Sequence, residues 1–262
     1  QPVADRLVQH HAGPAGGKDD VEGAGRRGDG LEVDQRLPER LLRGVLPRAF
    51  GEERAEALAP AHAVEAGFLP PVFTRWFESR GWRPRAHQLA LVELGQAGKS
   101  ALLIAPTGAG KTLAGFLPSL VDLATRKDKR KPALHTLYIS PLKALAVDVK
   151  RNLEMPVEEM GLAISIETRT GDTPQNRRQR QRREPPDILM TTPEQLALLL
   201  SYPDAGTFFG SLSCVVLDEL HALANSKRGD LLALGLARLA KLAPGLRRTG
   251  LSATVAEPDA LR

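Results

Sequence analysis

The sequence predicts an α/β domain, a mostly parallel sheet with helices on both faces, assembled around a loop that binds phosphate. Three observations predict it. Short apolar runs of strand length recur after residue 100, at Ala101-Leu102-Leu103-Ile104, Leu137-Tyr138-Ile139, Ile164-Ser165-Ile166, Ile188-Leu189-Met190, Val215-Val216-Leu217 and Thr249-Gly250-Leu251. Helical patterns lie between most of them, at 142–153, 194–200 and 231–242, and strands alternating with helices imply a parallel sheet covered on both faces. The first run leads into Ala105-Pro106-Thr107-Gly108-Ala109-Gly110-Lys111-Thr112 and then into Leu113–Leu117, apolar residues placed to open a helix. Strand, Gly-rich loop, Lys-Thr, helix is the order that a phosphate-binding loop requires.

Residues 1–66 read differently from the rest. Gly, Arg, Asp and Ala recur there without helical or strand period, as in Gly16-Gly17-Lys18-Asp19-Asp20. The expectation is a leader that is disordered or foreign to the protein, with helical turns around Leu37–Leu46 and Glu52–Leu58 too short to stand alone. Order is expected from about residue 67 to 262. Val72–Phe77 places aromatic residues at helical spacing, Gly81-Trp82-Arg83-Pro84 breaks that helix, and a second helix over 86–95 leads into the first strand.

Each residue type of the loop has a physical task. Gly108 and Gly110 let backbone N–H groups turn inward around a polyphosphate, where a side chain would block approach. The helix beginning near Lys111 adds its positive dipole end. Lys111 reaches the β- and γ-phosphates, and the Thr112 hydroxyl offers one Mg²⁺ position. The first position is Ala105 in place of the usual Gly. A hundred residues on, Asp218-Glu219-Leu220-His221 follows an apolar strand. Asp218 there suits a water-mediated hold on Mg²⁺, and Glu219 suits the orientation and deprotonation of an attacking water. The expected ligand is a nucleoside triphosphate with Mg²⁺.

Composition bounds the setting. The chain of 262 residues carries a formal charge of +5, which permits a polyanionic partner. Aromatic residues make up only 4%, so the core rests on Leu, Ala, Val and Ile. The single cysteine, Cys214, lies in an apolar run and reads as a buried strand residue. No apolar run approaches the roughly 18 residues of a membrane span and no secretory signal opens the chain, so the expected compartment is the cytoplasm. Two basic runs stand out: Arg126–Lys131, read as a loop with a solvated face, and Arg177–Arg183, a polar helix or loop for which phosphate contact is an even alternative.

Taken together, Ala-x-Thr-Gly-x-Gly-Lys-Thr, Asp-Glu-Leu-His and Ser252-Ala253-Thr254 resemble motifs I, II and III of superfamily 2 helicases. Ser140-Pro141-Leu142-Lys143-Ala144-Leu145 resembles motif Ia of the large helicase-related (Lhr) family, and Arg169-Thr170-Gly171-Asp172-Thr173 is similar to its motif Ib. Thr191-Thr192-Pro193-Glu194 is similar to its next DNA-contacting motif, and the segment from Leu69 to Gln88 resembles the ligase-associated DEXH-box branch.

The resemblance implies a first RecA-like domain over residues 67–262, and an ATP-dependent DNA helicase or translocase acting in DNA repair. It places Gln88 on the adenine edge, and Thr107 through Thr112 around the phosphates. It assigns Lys111, Asp218 and Glu219 to catalysis, and Thr112 and Asp218 to the metal. Pro141, Leu142, Lys143, Thr170, Gly171, Asp172, Thr191 and Thr192 are placed on the backbone of one DNA strand. His221, Ser252, Ala253 and Thr254 are assigned to coupling ATP state to strand grip. Taken singly, each strand contact reads equally as local helix capping. The implied partners are single-stranded DNA, with RNA or a hybrid as alternative tracks, and DNA ligase and nuclease. The pattern stops shortly after motif III, so these residues alone are expected to hydrolyse ATP poorly. A nucleic-acid-binding fragment without motor function and an RNA helicase remain the rival readings.

Overall fold

The computed structural model describes residues 56–57, 69–106, 108–126, 132–223 and 226–253. Its centre is an all-parallel sheet of seven strands in the order β1-β2-β7-β6-β3-β5-β4. The strands are β1 (Glu56–Ala57), β2 (Ala101–Ile104), β3 (Thr136–Ile139), β4 (Ile166–Thr168), β5 (Ile188–Thr191), β6 (Cys214–Leu217) and β7 (Arg247–Ser252).

Period-two alternation divides their side chains between two cores. Leu103, Tyr138, Met190, Val216 and Leu251 face one apolar cluster, together with helices α1 (Pro71–Ser79), α2 (Ala86–Gln96), α3 (Lys111–Thr125) and α4 (Lys143–Glu159). Leu102, Leu137, Ile139, Val215 and Leu217 face the other, with α6 (Pro193–Ser201), α7 (Ala205–Phe209), α8 (Leu220–Leu223) and α9 (Lys227–Leu242). Both faces being covered explains why the strands read as continuous apolar runs. Cys214 is a free, buried thiol in β6, as its run predicts.

Helix α1 ends as its sequence predicts: Gly81 takes φ +66°, and the Gly81 and Trp82 N–H groups return to the Glu78 and Phe77 carbonyls, both at 2.9 Å. Two expectations need correction, and one open alternative is settled. Ile164-Ser165-Ile166 is not the fourth strand, which starts only at Ile166. Ser165 is clamped first, its N–H and hydroxyl bonding the Asp187 carboxylate at 2.8 and 2.7 Å, and pairing begins at Ile166 opposite Ile188. The second basic run is settled as helix α5 (Gln175–Arg183). Within the leader, Glu56–Ala57 pairs as a strand with Ala101 and Leu102 where a helical turn was expected. The rest of the leader, the Leu37–Leu46 turn and the Lys127–Lys131 part of the first basic run lie outside the described residues.

At the amino end of β3, His135 sits 3.9 Å from Asp122 and is held at a pKa of about 4, chiefly by burial, with Asp122 opposing and Arg247 adding to the shift. A histidine kept neutral in the fold binds its proton more readily once unfolded. Stability is therefore present above about pH 6.5 and is lost as pH falls toward 4, by up to about 3 kcal/mol. Urea titrations at pH 7.5 and pH 5 should show the fall, and His135→Gln should flatten it.

Candidate nucleotide and nucleic-acid site

The loop leaves β2 through Ala105, which is fully buried and donates its N–H to the Ser252 carbonyl at 3.2 Å. That bond ties the loop's first position to the neighbouring strand β7, and a small apolar residue serves there. Gly108 and Gly110 take φ of +83° and +74°, left-handed values that glycine adopts without strain. A Cβ on Gly110 would also lie 3.3 Å from the Gln88 amide nitrogen. Gln88 is thus packed beside the loop, its Oε1 accepting the Arg85 N–H at 2.9 Å. The adjacent His87 is held neutral by burial and donates from Nε2 to the Ala109 carbonyl at 3.1 Å. It fastens α2 to the loop. Sequence reasoning passed over His87, and its place next to Gln88 was the only signal. Thr107 lies outside the described residues.

Lys111 opens α3 and folds its Nζ back onto the Ala105 and Pro106 carbonyls at 2.7 and 3.0 Å. Burial lowers its pKa, while the Glu219 and Asp218 charges oppose that shift. The cation is held on hydrogen bonds that a triphosphate can take over. Thr112 follows it, half-buried.

Asp218 follows β6 and is buried, with both oxygens engaged. Oδ2 accepts the Tyr138 hydroxyl at 2.6 Å and Oδ1 accepts the Glu219 N–H at 2.9 Å. Glu219 carries φ +50°, the one described non-glycine residue in that region. A left-handed non-glycine residue costs on the order of 1 kcal/mol and marks functional turns. Here it brings the carboxylate 3.0 Å from His221 Nε2, and His221 Nδ1 lies 3.3 Å from the Ser252 hydroxyl. The carboxylate beside the loop is thereby linked to the end of β7. Ala253 is half-buried next to Ser252, and Thr254 lies outside the described residues. Mg²⁺ takes oxygen ligands and keeps several waters, so one carboxylate and one hydroxyl beside phosphates suffice. Asp218 and Thr112 offer such a donor set. Among the described residues no group of three His, Cys, Asp or Glu side chains forms a self-sufficient metal site. The donors fit a cation that arrives with the triphosphate.

The remaining predicted residues gather at the carboxyl ends of β3, β4 and β5. Leu142 is exposed, and Lys143 pairs with the exposed Asp172 at 3.1 Å, over Gly171. Arg178 of α5 holds the turn from beneath, its guanidinium reaching the Thr173, Thr170 and Gly171 carbonyls at 2.7, 3.1 and 2.5 Å. Two predicted contacts are differently employed. The Thr191 side chain is fully buried and donates to the Arg169 carbonyl at 2.9 Å, so it braces β5 against β4. Thr192 is buried at the amino end of α6, ahead of Pro193. Pro141 is also buried. Much of the second basic run is spent within the protein: Arg177 and Arg180 pair with Glu167, and Arg182 with Asp204. Thr170 is buried as well, which leaves Gly171, Asp172 and the head of α4 as the exposed part of this edge.

A phosphate loop after β2, an Asp-Glu pair after β6 and a linked β7 between them, all at the carboxyl edge of a parallel sheet, define a RecA-like P-loop NTPase domain. Its family follows from comparison. The family model described as DEAD/DEAH box helicase matches residues 85–261, and the chain belongs to that family. Within it the likeness is to the Lhr helicases. The chain is 44% identical over 213 residues to the Lhr helicase/uracil glycosylase of Escherichia coli (strain K12), covering 72% of this chain and 14% of that protein. To the ATP-dependent helicase Lhr-Core of Methanothermobacter thermautotrophicus it is 37% identical over 215 residues, 78% of this chain and 24% of that one. The solved structure of Mycobacterium smegmatis helicase Lhr bound to ssDNA and AMP-PNP superposes with a TM-score of 0.66 at 40% identity, over 73% of this chain and 26% of that chain. The chain therefore spans about an eighth to a quarter of the length of the curated relatives it matches.

Proposed function

We propose that this chain is the ATP-binding motor domain of an Lhr-type DNA helicase, turning ATP hydrolysis into steps along single-stranded DNA. The observation that carries this reading is the path from Glu219 through His221 to Ser252. A carboxylate placed to activate water beside the phosphate loop is joined to the strand end next to the loop. Lys111 and the loop N–H groups hold the triphosphate, and Gln88 beside them meets the adenine. Asp218 and Thr112 would hold Mg²⁺, which would supply charge neutralisation to the phosphates. Glu219 orients the attacking water and takes its proton. The exposed edge at Leu142, Lys143, Gly171 and Asp172 lies along one strand's backbone, with N–H groups and a cation suited to phosphates and no reading of sequence.

The resemblance of the approach segment supports DNA repair beside a ligase or nuclease, and the resemblance to the family as a whole supports 3′-to-5′ polarity. In motors of this class a second RecA-like domain supplies arginines to the γ-phosphate, and such a residue is worth roughly 10³–10⁵ in turnover. The 262-residue stretch by itself should therefore bind Mg-ATP and turn it over slowly. Steady-state hydrolysis and fluorescence-anisotropy binding, with oligothymidine and with a matched RNA, test the proposal. Micromolar binding of DNA and of AMP-PNP with low turnover is the expected result. Preference for the RNA would favour an RNA track, and no binding of nucleotide or strand would refute the motor reading.

A further inference from the structure

Tyr138 is the one aromatic residue among the strands described, and none of the roles above uses it. It is fully buried, its ring stacked on Phe116 of α3 at 5.3 Å between centroids. Stacking alone would need only phenylalanine. The hydroxyl has its own work: it donates to Asp218 Oδ2 at 2.6 Å, a length typical of an O–H···O⁻ bond. A tyrosine phenol is protonated at neutral pH, so it is the donor in this bond. The Glu219 N–H on Oδ1, at 2.9 Å, is the carboxylate's second donor.

We infer that Tyr138 is a positioning residue for Asp218. The inference rests on the motor reading above. A carboxylate held by two donors keeps one rotamer ready for the cation that comes with ATP.

The test is the Mg²⁺ titration of a fluorescent AMP-PNP analogue. Tyr138→Phe, which keeps the ring, should raise the Mg²⁺ concentration for half-maximal binding about tenfold, as expected for one charge-assisted hydrogen bond, and leave binding in EDTA unchanged. Wild-type Mg²⁺ dependence in Tyr138→Phe overturns the positioning role. Failure of the unmodified chain to bind the analogue at all overturns the motor reading underneath.

Discussion

Lys111→Ala is expected to weaken binding of a fluorescent ATP analogue by about 100-fold and to leave the fold intact. The lysine is the cation of a loop whose other groups are backbone N–H donors, and it now donates to the Ala105 and Pro106 carbonyls at 2.7 and 3.0 Å. Bound triphosphate would exchange those neutral acceptors for charged oxygens. Charge-assisted hydrogen bonds contribute about 1.5–3 kcal/mol each, and every 1.4 kcal/mol is tenfold in affinity. Folding gains little from the same side chain, because burial works against its charge. Titration of the analogue beside a thermal melt separates the two effects. An unchanged affinity would show that the loop does not cradle phosphate. An unfolded variant would show that the lysine supports the loop itself.

Arg169→Ala should have the largest effect on stability, about 3–5 kcal/mol, or roughly 10 °C in melting temperature. Arg169 is fully buried after β4, donates from Nη1 to the Arg178 carbonyl at 3.0 Å, and has the Tyr202 ring 6.0 Å from its guanidinium carbon. Its truncation would leave both a cavity and an unmatched carbonyl. Desolvation lowers its pKa, with Tyr202 opposing that shift and the nearby Arg178 adding to it. A buried cation so placed contributes less than its volume does, so Arg169→Met, which fills the space, should recover most of the loss. Equal destabilisation by Met and Ala in urea titrations would instead assign the effect to the charge. Arg178 also braces Thr170 and Gly171, so Arg169→Ala should lower oligothymidine affinity several-fold in the fraction that remains folded.

The placement of the candidate site was legible because local sequence carries it. Gly108 and Gly110 are required by backbone conformation, and Lys111, Thr112, Asp218 and Glu219 follow apolar runs that can only be buried strands. Alternating strands and helices then dictate a parallel sheet, whose carboxyl edge collects those residues. Strand limits were less legible. Ser165 left the strand pattern because Asp187, more than twenty residues away, captures its hydroxyl and N–H.

What the sequence determined by itself, then, is the phosphate loop, the acidic pair and the order of the strands that carry them. Each depends on residue types within a few positions, through φ, hydrophobic period and charge. Only the tertiary structure decided which polar side chains are spent inside the protein. Thr191 turns inward to Arg169, and Arg177, Arg180 and Arg182 are paired. Tyr138 reaches across from β3 to Asp218, and His87 fastens the loop. Those assignments depend on which strands lie side by side, and a hydrogen bond across 80 residues of sequence leaves no periodic trace in the chain.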